Sequence, residues 1–397
     1  MNLQIIKQKI EQAVELLNEF EIDLWLIFIR ESHTMPDPCI DMVVGTHVTW
    51  QSAFLINKNG DTTAIVGSLE VPNTESIGTY KNVVGYVQSV KEPLLEYMDK
   101  HKPKRIAINY SLNSNLADGL TYGMYLSLKQ YLKDTPYMTS LVSSEDLIAA
   151  LRGRKSESEI ENMQVAINET LEIYDANTQY MKVGMTELGV ANFIKSKVSS
   201  IGRELAWDEA HCPAVYTGPE TAGAHSGPTD RVIEEGHILN IDYGTKFNGY
   251  CSDLQRTWYF SKSGEVEVPV EVQHGFDTIF DAISKAAEFA KPGVMGHEVD
   301  NIARSYIVSR GYEDYQHGLG HQVGRIVHDG GVGFYPLWER YGSLPMKRIE
   351  KNQVFTIEPR LLVKGYGVVT IEEMIVITES GCRFLSNRQK ELWVIKS

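Results

Sequence analysis

Ile5, Ile6, Ile10, Val14, Leu16 and Leu17 recur at helical spacing among Lys, Gln and Glu, and the apolar run Leu24–Ile29 follows. The pattern predicts an amphipathic helix and then a buried strand. Short apolar runs at 52–56, 64–66 and 105–108 alternate with further helical stretches, as expected of an α/β domain. At 151–160 the chain reads LRGRKSESEI, a charged stretch before a long helical pattern through Met163, Ile167, Leu171 and Tyr174. That change predicts a domain boundary there, giving domains of residues 1–150 and 151–397. No fixed-period repeat or low-complexity tract interrupts either part.

In the second part, three strand-like runs share one arrangement. Leu239, Ile241 and Tyr243 alternate with Asn240 and Asp242; Phe355 and Ile357 alternate with Thr356 and Glu358; Val369, Ile371 and Ile375 alternate with Thr370 and Glu372. Side chains two apart share a strand face, so each run predicts an aliphatic face and an opposite face ending in an acid. One such strand is ordinary, because exposed carboxylates are common. Three of them in a histidine-bearing region point instead to a curved sheet with one face on helices and the other lining a wet site. The same parity selects Glu372 over its neighbour Glu373.

Composition narrows the function. Lys and Arg number 38 against 52 Asp and Glu, a formal charge of −14 that would repel a polyphosphate, so no nucleic-acid partner is expected. The longest early apolar run falls far short of the ~20 residues needed to cross a bilayer, and no membrane association is expected. Cys39, Cys212, Cys251 and Cys382 show no C-x-x-C spacing and read as free thiols of a cytoplasmic protein.

Residues 317–329, HGLGHQVGRIVHD, carry His317, His321 and His328 among glycines. The first two have the separation of an H-E-x-x-H zinc helix, but the glutamate is missing and glycines intervene, which argues against one. Asp253 follows Asp242 by eleven residues, and Asn248-Gly249 between them is a favoured hairpin turn that would bring the two together. Four carboxylates in one cavity, from Asp242, Asp253, Glu358 and Glu372, would repel one another unless cations were bound. Two divalent ions would balance them, and with His321 as a nitrogen donor the oxygen-rich set suits manganese, with cobalt or zinc as alternatives.

At this point the chain resembles the dinuclear-metal peptidases of pita-bread fold, a family that includes prolidase, Xaa-Pro aminopeptidase and methionine aminopeptidase, with creatinase as a metal-free relative. LRGRKSESEIENM, AHSGPTDR, NIDYG, YCSDLQRT, HGLGH, VHD, TIEPR and TIEEM occur in the family's order. The resemblance implies an α/β creatinase-type N-terminal domain followed by an α+β pita-bread catalytic domain. It implies that Asp242, Asp253, His321, Glu358 and Glu372 are the metal ligands, with Asp253 and Glu372 bridging. It further implies that His225 and His328 contact the substrate or the tetrahedral intermediate, that Glu358 shuttles protons, and that His317 lines the pocket. The activity implied is hydrolysis of the Xaa-Pro bond at the N-terminus of peptides or in dipeptides, by a hydroxide bridging two divalent ions, in a homodimer.

Alternatives are a peptidase of the same fold without proline specificity, a creatinase-like C–N hydrolase, or a non-catalytic binding module; an intact acidic ligand set weighs against the last two. One departure stands out: proline-specific members usually have Arg two residues before the bridging glutamate, where this chain has Thr370. A dipeptidase also needs a positive group for the substrate carboxylate, and Arg340, Lys347 and Arg348 are the nearest in sequence before Glu358.

Overall fold

The computed structural model describes residues 3–220 and 227–396. The chain divides into two compact units, Met1–Arg152 and Gly153–Ser397. In the first, a mixed six-stranded sheet runs in the order Asn82–Tyr86, Thr62–Gly67, Ser52–Asn57, Leu24–Ile29, Ile106–Ile108, Leu141–Ser143. The run Leu24–Ile29 is buried throughout because its two faces feed two cores. Trp25, Ile27 and Ile29 pack with Ile6, Ile10 and Leu17 of the helix Leu3–Glu19. Leu24, Leu26 and Phe28 share the other core with Leu94 and Met98 of Lys91–His101 and Leu128 of Tyr122–Leu132. A central strand covered on both sides has no polar face to show, hence its continuous apolar run.

The second unit opens with the helix Glu157–Tyr180, whose start is set by a capping box: the Ser156 side chain accepts from the Glu159 N–H while the Glu159 carboxylate accepts from the Ser156 N–H. A four-stranded sheet runs Trp393–Ile395, Leu254–Phe260, Ile238–Tyr243, Ala214–Thr217. Beside it, Arg360–Val363 pairs with Gly367–Thr370, and Val354–Ile357 pairs with Glu373–Ile377. The strand groups are tied by the Asn240 amide and the Thr257 hydroxyl, both donating to the Thr370 carbonyl. Ile279 and Ile283 of the helix Val270–Phe289, with Val299 and Ala303 of Gly296–Ser309, pack on Phe355, Ile357, Val369, Ile371 and Ile375. The aliphatic sides of the runs 354–358 and 368–375 thus meet these helices, and Tyr243 of the third run packs edge-on against Tyr174 of the helix Glu157–Tyr180.

Two expected strands are interrupted. The run 354–359 stops as a ladder at Ile357, since Pro359 has no N–H to donate, and pairing resumes at Arg360 with a different partner. The run 368–375 breaks at Ile371 and Glu372, where the chain leaves Arg360–Val363 to join Val354–Ile357. At that changeover Glu372 forms an isolated bridge with Gln255. The expected hairpin is present: Lys246 pairs with Cys251 and Phe247 with Tyr250 around Asn248 and Gly249, both at positive φ. Such a turn matches the twist of the flanking strands.

Candidate metal centre and cavity

Asp242 lies within the four-stranded sheet, opposite Gln255 on one side and Ala214 on the other. Asp253 immediately precedes the strand Leu254–Phe260, returned to Asp242 by the Asn248-Gly249 turn. His321 is fixed against the strand Val354–Ile357: its N–H donates to Thr356 Oγ1 at 3.1 Å, and its carbonyl accepts from the Thr356 N–H at 2.9 Å. That approach requires Gly320, where a Cβ would sit 2.0 Å from the Thr356 carbonyl oxygen. The Glu358 N–H donates to the Leu319 carbonyl at 2.8 Å, so the His317–His321 segment and Glu358 hold each other in place.

These side chains converge on a cavity of about 710 Å³ whose lining includes Asp242, Asp253, His321, Glu358 and Glu372, with His317 and His328 on its wall. Within it, one ligand atom each from Asp253, His321 and Glu372 lies within 4.8 Å of the others, close enough to hold a single ion. His321 Nε2 is 3.1 Å from Glu358 Oε1 and 3.7 Å from Asp253 Oδ2. The His328 ring stands nearly perpendicular to that of His321, 4.3 Å between centroids. His225 lies outside the described residues.

Burial, then mutual repulsion, pushes the carboxyl groups of Asp242 and Glu372 well above the ordinary range, and Asp253 is raised chiefly by burial. Burial acts on Glu358 in the same sense and is the largest single influence, but the hydrogen bond from His321 together with the charges of His321, His317 and His328 outweighs it and holds this carboxyl low. Burial likewise opposes the charged form of His321, yet Glu358 and Asp253 lift it to about 9. Asp242 Oδ1 and both carboxylate oxygens of Glu372 are buried without a hydrogen-bond partner. Buried carboxylates of this kind are ordinarily paired or coordinate metal. An oxygen-rich set with one imidazole and orphaned carboxylate oxygens fits divalent cations.

Glu373 points elsewhere. It forms a buried ion pair with Arg256 at 3.2 Å and accepts from the Ser386 hydroxyl and the Gln389 N–H. Arg256 also donates to the Glu372 carbonyl at 2.9 Å, tying that backbone down.

Sequence reasoning missed several cavity groups. The Thr370 hydroxyl donates to Gln255 Oε1 at 2.9 Å, and Gln255 Nε2 donates to Glu358 Oε2 at 3.2 Å, so a neutral relay runs from the position of the family's usual arginine to a cavity carboxylate. Only the parity of Gln255 with Asp253 hinted at it. Arg340, Lys347 and Arg348, the expected carboxylate partners, are not on the cavity wall. Arg340 stacks over Trp338 and Tyr341 and donates to the Gln316 carbonyl, and Arg348 donates to the Gly293 carbonyl. The basic side chain that does line the cavity is Arg360.

A helix-backed set of short strands enclosing a cavity of carboxylates and histidines defines a metal-dependent hydrolase of the pita-bread class. The chain belongs to metallopeptidase family M24, whose sequence model matches residues 161–379. Among curated proteins it is 30% identical over 342 residues to an uncharacterized peptidase of Staphylococcus haemolyticus, covering 85% of this chain and 88% of that one. An uncharacterized peptidase of Bacillus subtilis is 29% identical over 279 residues, 70% of this chain and 73% of its own. Among solved structures, the prolidase from Pyrococcus horikoshii has a TM-score of 0.69 at 27% identity, covering 97% of this chain and 99% of that one. The Xaa-Pro dipeptidase from Bacillus anthracis has a TM-score of 0.75 at 22% identity, covering 99% and 100%. The likeness extends over both units, so the chain has an N-terminal domain followed by a pita-bread catalytic domain.

Proposed function

We propose that this protein is an Xaa-Pro peptidase working with two divalent cations, manganese by preference, held by Asp242, Asp253, His321, Glu358 and Glu372. The observation that carries the reading is the set of buried Asp242 and Glu372 oxygens without partners, beside His321 and Asp253. Such cations, when bound, acidify a water and polarise a carbonyl. The chain's own groups do the rest. Glu358, positioned by the hydrogen bond from Gln255 Nε2, accepts the proton of the attacking water and passes it to the leaving nitrogen. His328, and by family resemblance His225, donates to the oxyanion as it forms. His317 bounds the pocket, with its Nδ1 engaged by the Gly318 carbonyl at 2.7 Å.

Proline selectivity is supported by the likeness to a solved prolidase and an Xaa-Pro dipeptidase. A homodimer is what the family resemblance of the sequence implies. The four cysteines are free, in keeping with a cytoplasmic location, and no helix among the described residues is long and apolar enough to cross a membrane. The test is hydrolysis by stripped, manganese-reloaded protein of Xaa-Pro dipeptides, Xaa-Pro-Xaa tripeptides and proline-free controls. Cleavage confined to proline peptides is expected; cleavage of the controls alone would remove the proline assignment and leave the peptidase.

A further inference from the structure

His321 is held by the strand Val354–Ile357, but the residues before it have no such support: between Ser309 and Gly320 the chain is in neither helix nor strand. The backbone groups of such a segment need other partners, and two side chains of the helix Gly296–Ser309 supply them. Asp300 and Arg304, one turn apart, form an ion pair, Nε to Oδ2 at 2.7 Å and Nη2 to Oδ1 at 2.8 Å. Arg304 Nη1 also donates to the Tyr315 carbonyl at 2.7 Å and to the Asp314 carboxylate, and Nη2 to the His317 carbonyl at 2.6 Å. Every N–H of the guanidinium is thereby taken. Asp300 Oδ1 further accepts from the Leu319 N–H at 3.0 Å. The guanidinium is packed as well as bonded, 4.1 Å from the Tyr315 ring centroid and 5.1 Å from that of Trp338.

The residue enclosed by these contacts is His317, which lines the cavity, while Asp300 and Arg304 do not. Its Nδ1 lies 2.7 Å from the Gly318 carbonyl, so Nδ1 carries the proton and Nε2 is left as the acceptor of the ring. That carbonyl belongs to the peptide unit whose N–H, on Leu319, is fixed by Asp300. The Gly318 N–H in turn donates to the hydroxyl of Tyr341, another cavity residue, at 3.0 Å.

We infer that Asp300 and Arg304 are positioning residues for substrate binding: they fix the segment Tyr315–Leu319 so that His317 stands at the cavity wall in one tautomer. The inference rests on the peptidase reading and adds to it a buried ion pair that acts on the pocket from outside. His321 does not depend on the pair, because Thr356 holds both its N–H and its carbonyl. A group that bounds the pocket for bound substrate and transition state alike acts on KM rather than kcat.

The test is a double-mutant cycle between Arg304→Lys and His317→Ala on full-length manganese-loaded protein, read with an Xaa-Pro dipeptide. Lysine keeps a charge beside Asp300 but has too few donors, on a flexible stem, to serve two carboxylates and two carbonyls. Arg304→Lys should raise KM on the order of 10-fold, with kcat nearly unchanged and bound metal retained. In the His317→Ala background the same change should leave KM nearly where it was. Nitrogen-15 spectra of histidine-labelled, zinc-loaded protein give a readout that needs no turnover: His317 should show the Nδ1–H tautomer in wild type and lose that single signal in Arg304→Lys. An equal rise in KM in both backgrounds would overturn the inference, as would metal loss in Arg304→Lys or a His317 signal that the substitution leaves unchanged. If no proline peptide is cleaved, the proposed function fails, and the His317 signal alone decides the role of Arg304. Should Arg304→Lys not fold, the paired change Asp300→Asn with Arg304→Gln, which removes both charges together, takes its place in each measurement.

Discussion

Glu372 and Glu373 are adjacent and almost equally buried, yet they sit in different environments. Glu372 has both carboxylate oxygens unpartnered in the cavity, whereas Glu373 is neutralised by Arg256 and two further donors. Glu372→Ala and Asp253→Ala are therefore expected to abolish hydrolysis and lower bound metal. Glu373→Gln should keep its metal but lose stability, by about 3 kcal/mol or more, because Arg256 is left buried beside a neutral group. Metal analysis with urea unfolding separates the two effects. Thr370→Val, which removes the hydroxyl behind Gln255, is expected to lower kcat by roughly 10-fold or more through looser placement of Glu358. An unchanged kcat would show that the relay is incidental. His328→Ala should cost about 10² in kcat with metal retained; lost metal would make His328 a ligand instead.

The elements that carry these residues were readable in the sequence to different degrees. Asn248-Gly249 announced its hairpin because the turn's backbone requirements are local and both residues meet them. Likewise, parity placed Asp242, Glu358, Thr370 and Glu372 on the cavity side and Glu373 off it, since alternation needs no knowledge of partners. The strand break at Glu372 was hidden, because it arises where one strand changes neighbours, and pairing between distant segments leaves no local mark. Arg360 was overlooked for the same reason: its neighbour is Thr370 across a ladder, while Arg340 and Arg348 are merely close in sequence. At this scale Gly320 is the sharpest test. Gly320→Ala would drive a methyl into the Thr356 carbonyl, push His321 away from Val354–Ile357, and reduce both stability and metal affinity. Normal metal binding by that variant would contradict the tight packing described here.

Over the whole molecule, the cavity concentrates negative charge in a protein already at −14. Metal-free protein must keep several of these carboxyls protonated to fold. An acid whose folded pKa is raised favours the native state below its unfolded value, and that advantage is lost as pH rises toward the folded value. Stripped protein should accordingly lose stability as pH climbs above about 4, the unfolded carboxylate range. Bound cations remove that loss and add their own mass-action stabilisation, so the gap in Tm between loaded and stripped protein should widen toward neutral pH. A gap that does not change with pH would mean that the acids are not the groups the ions relieve.

The account stands on the claim that Asp242, Asp253, His321, Glu358 and Glu372 form one binding centre for two cations. Calorimetric titration of stripped full-length protein with manganese at neutral pH addresses that claim without reference to any substrate. Two ions per chain are expected, with binding severely weakened in Glu372→Ala and little changed in Glu373→Gln. Failure to take up any divalent ion, or uptake that Glu372→Ala leaves intact, would contradict it.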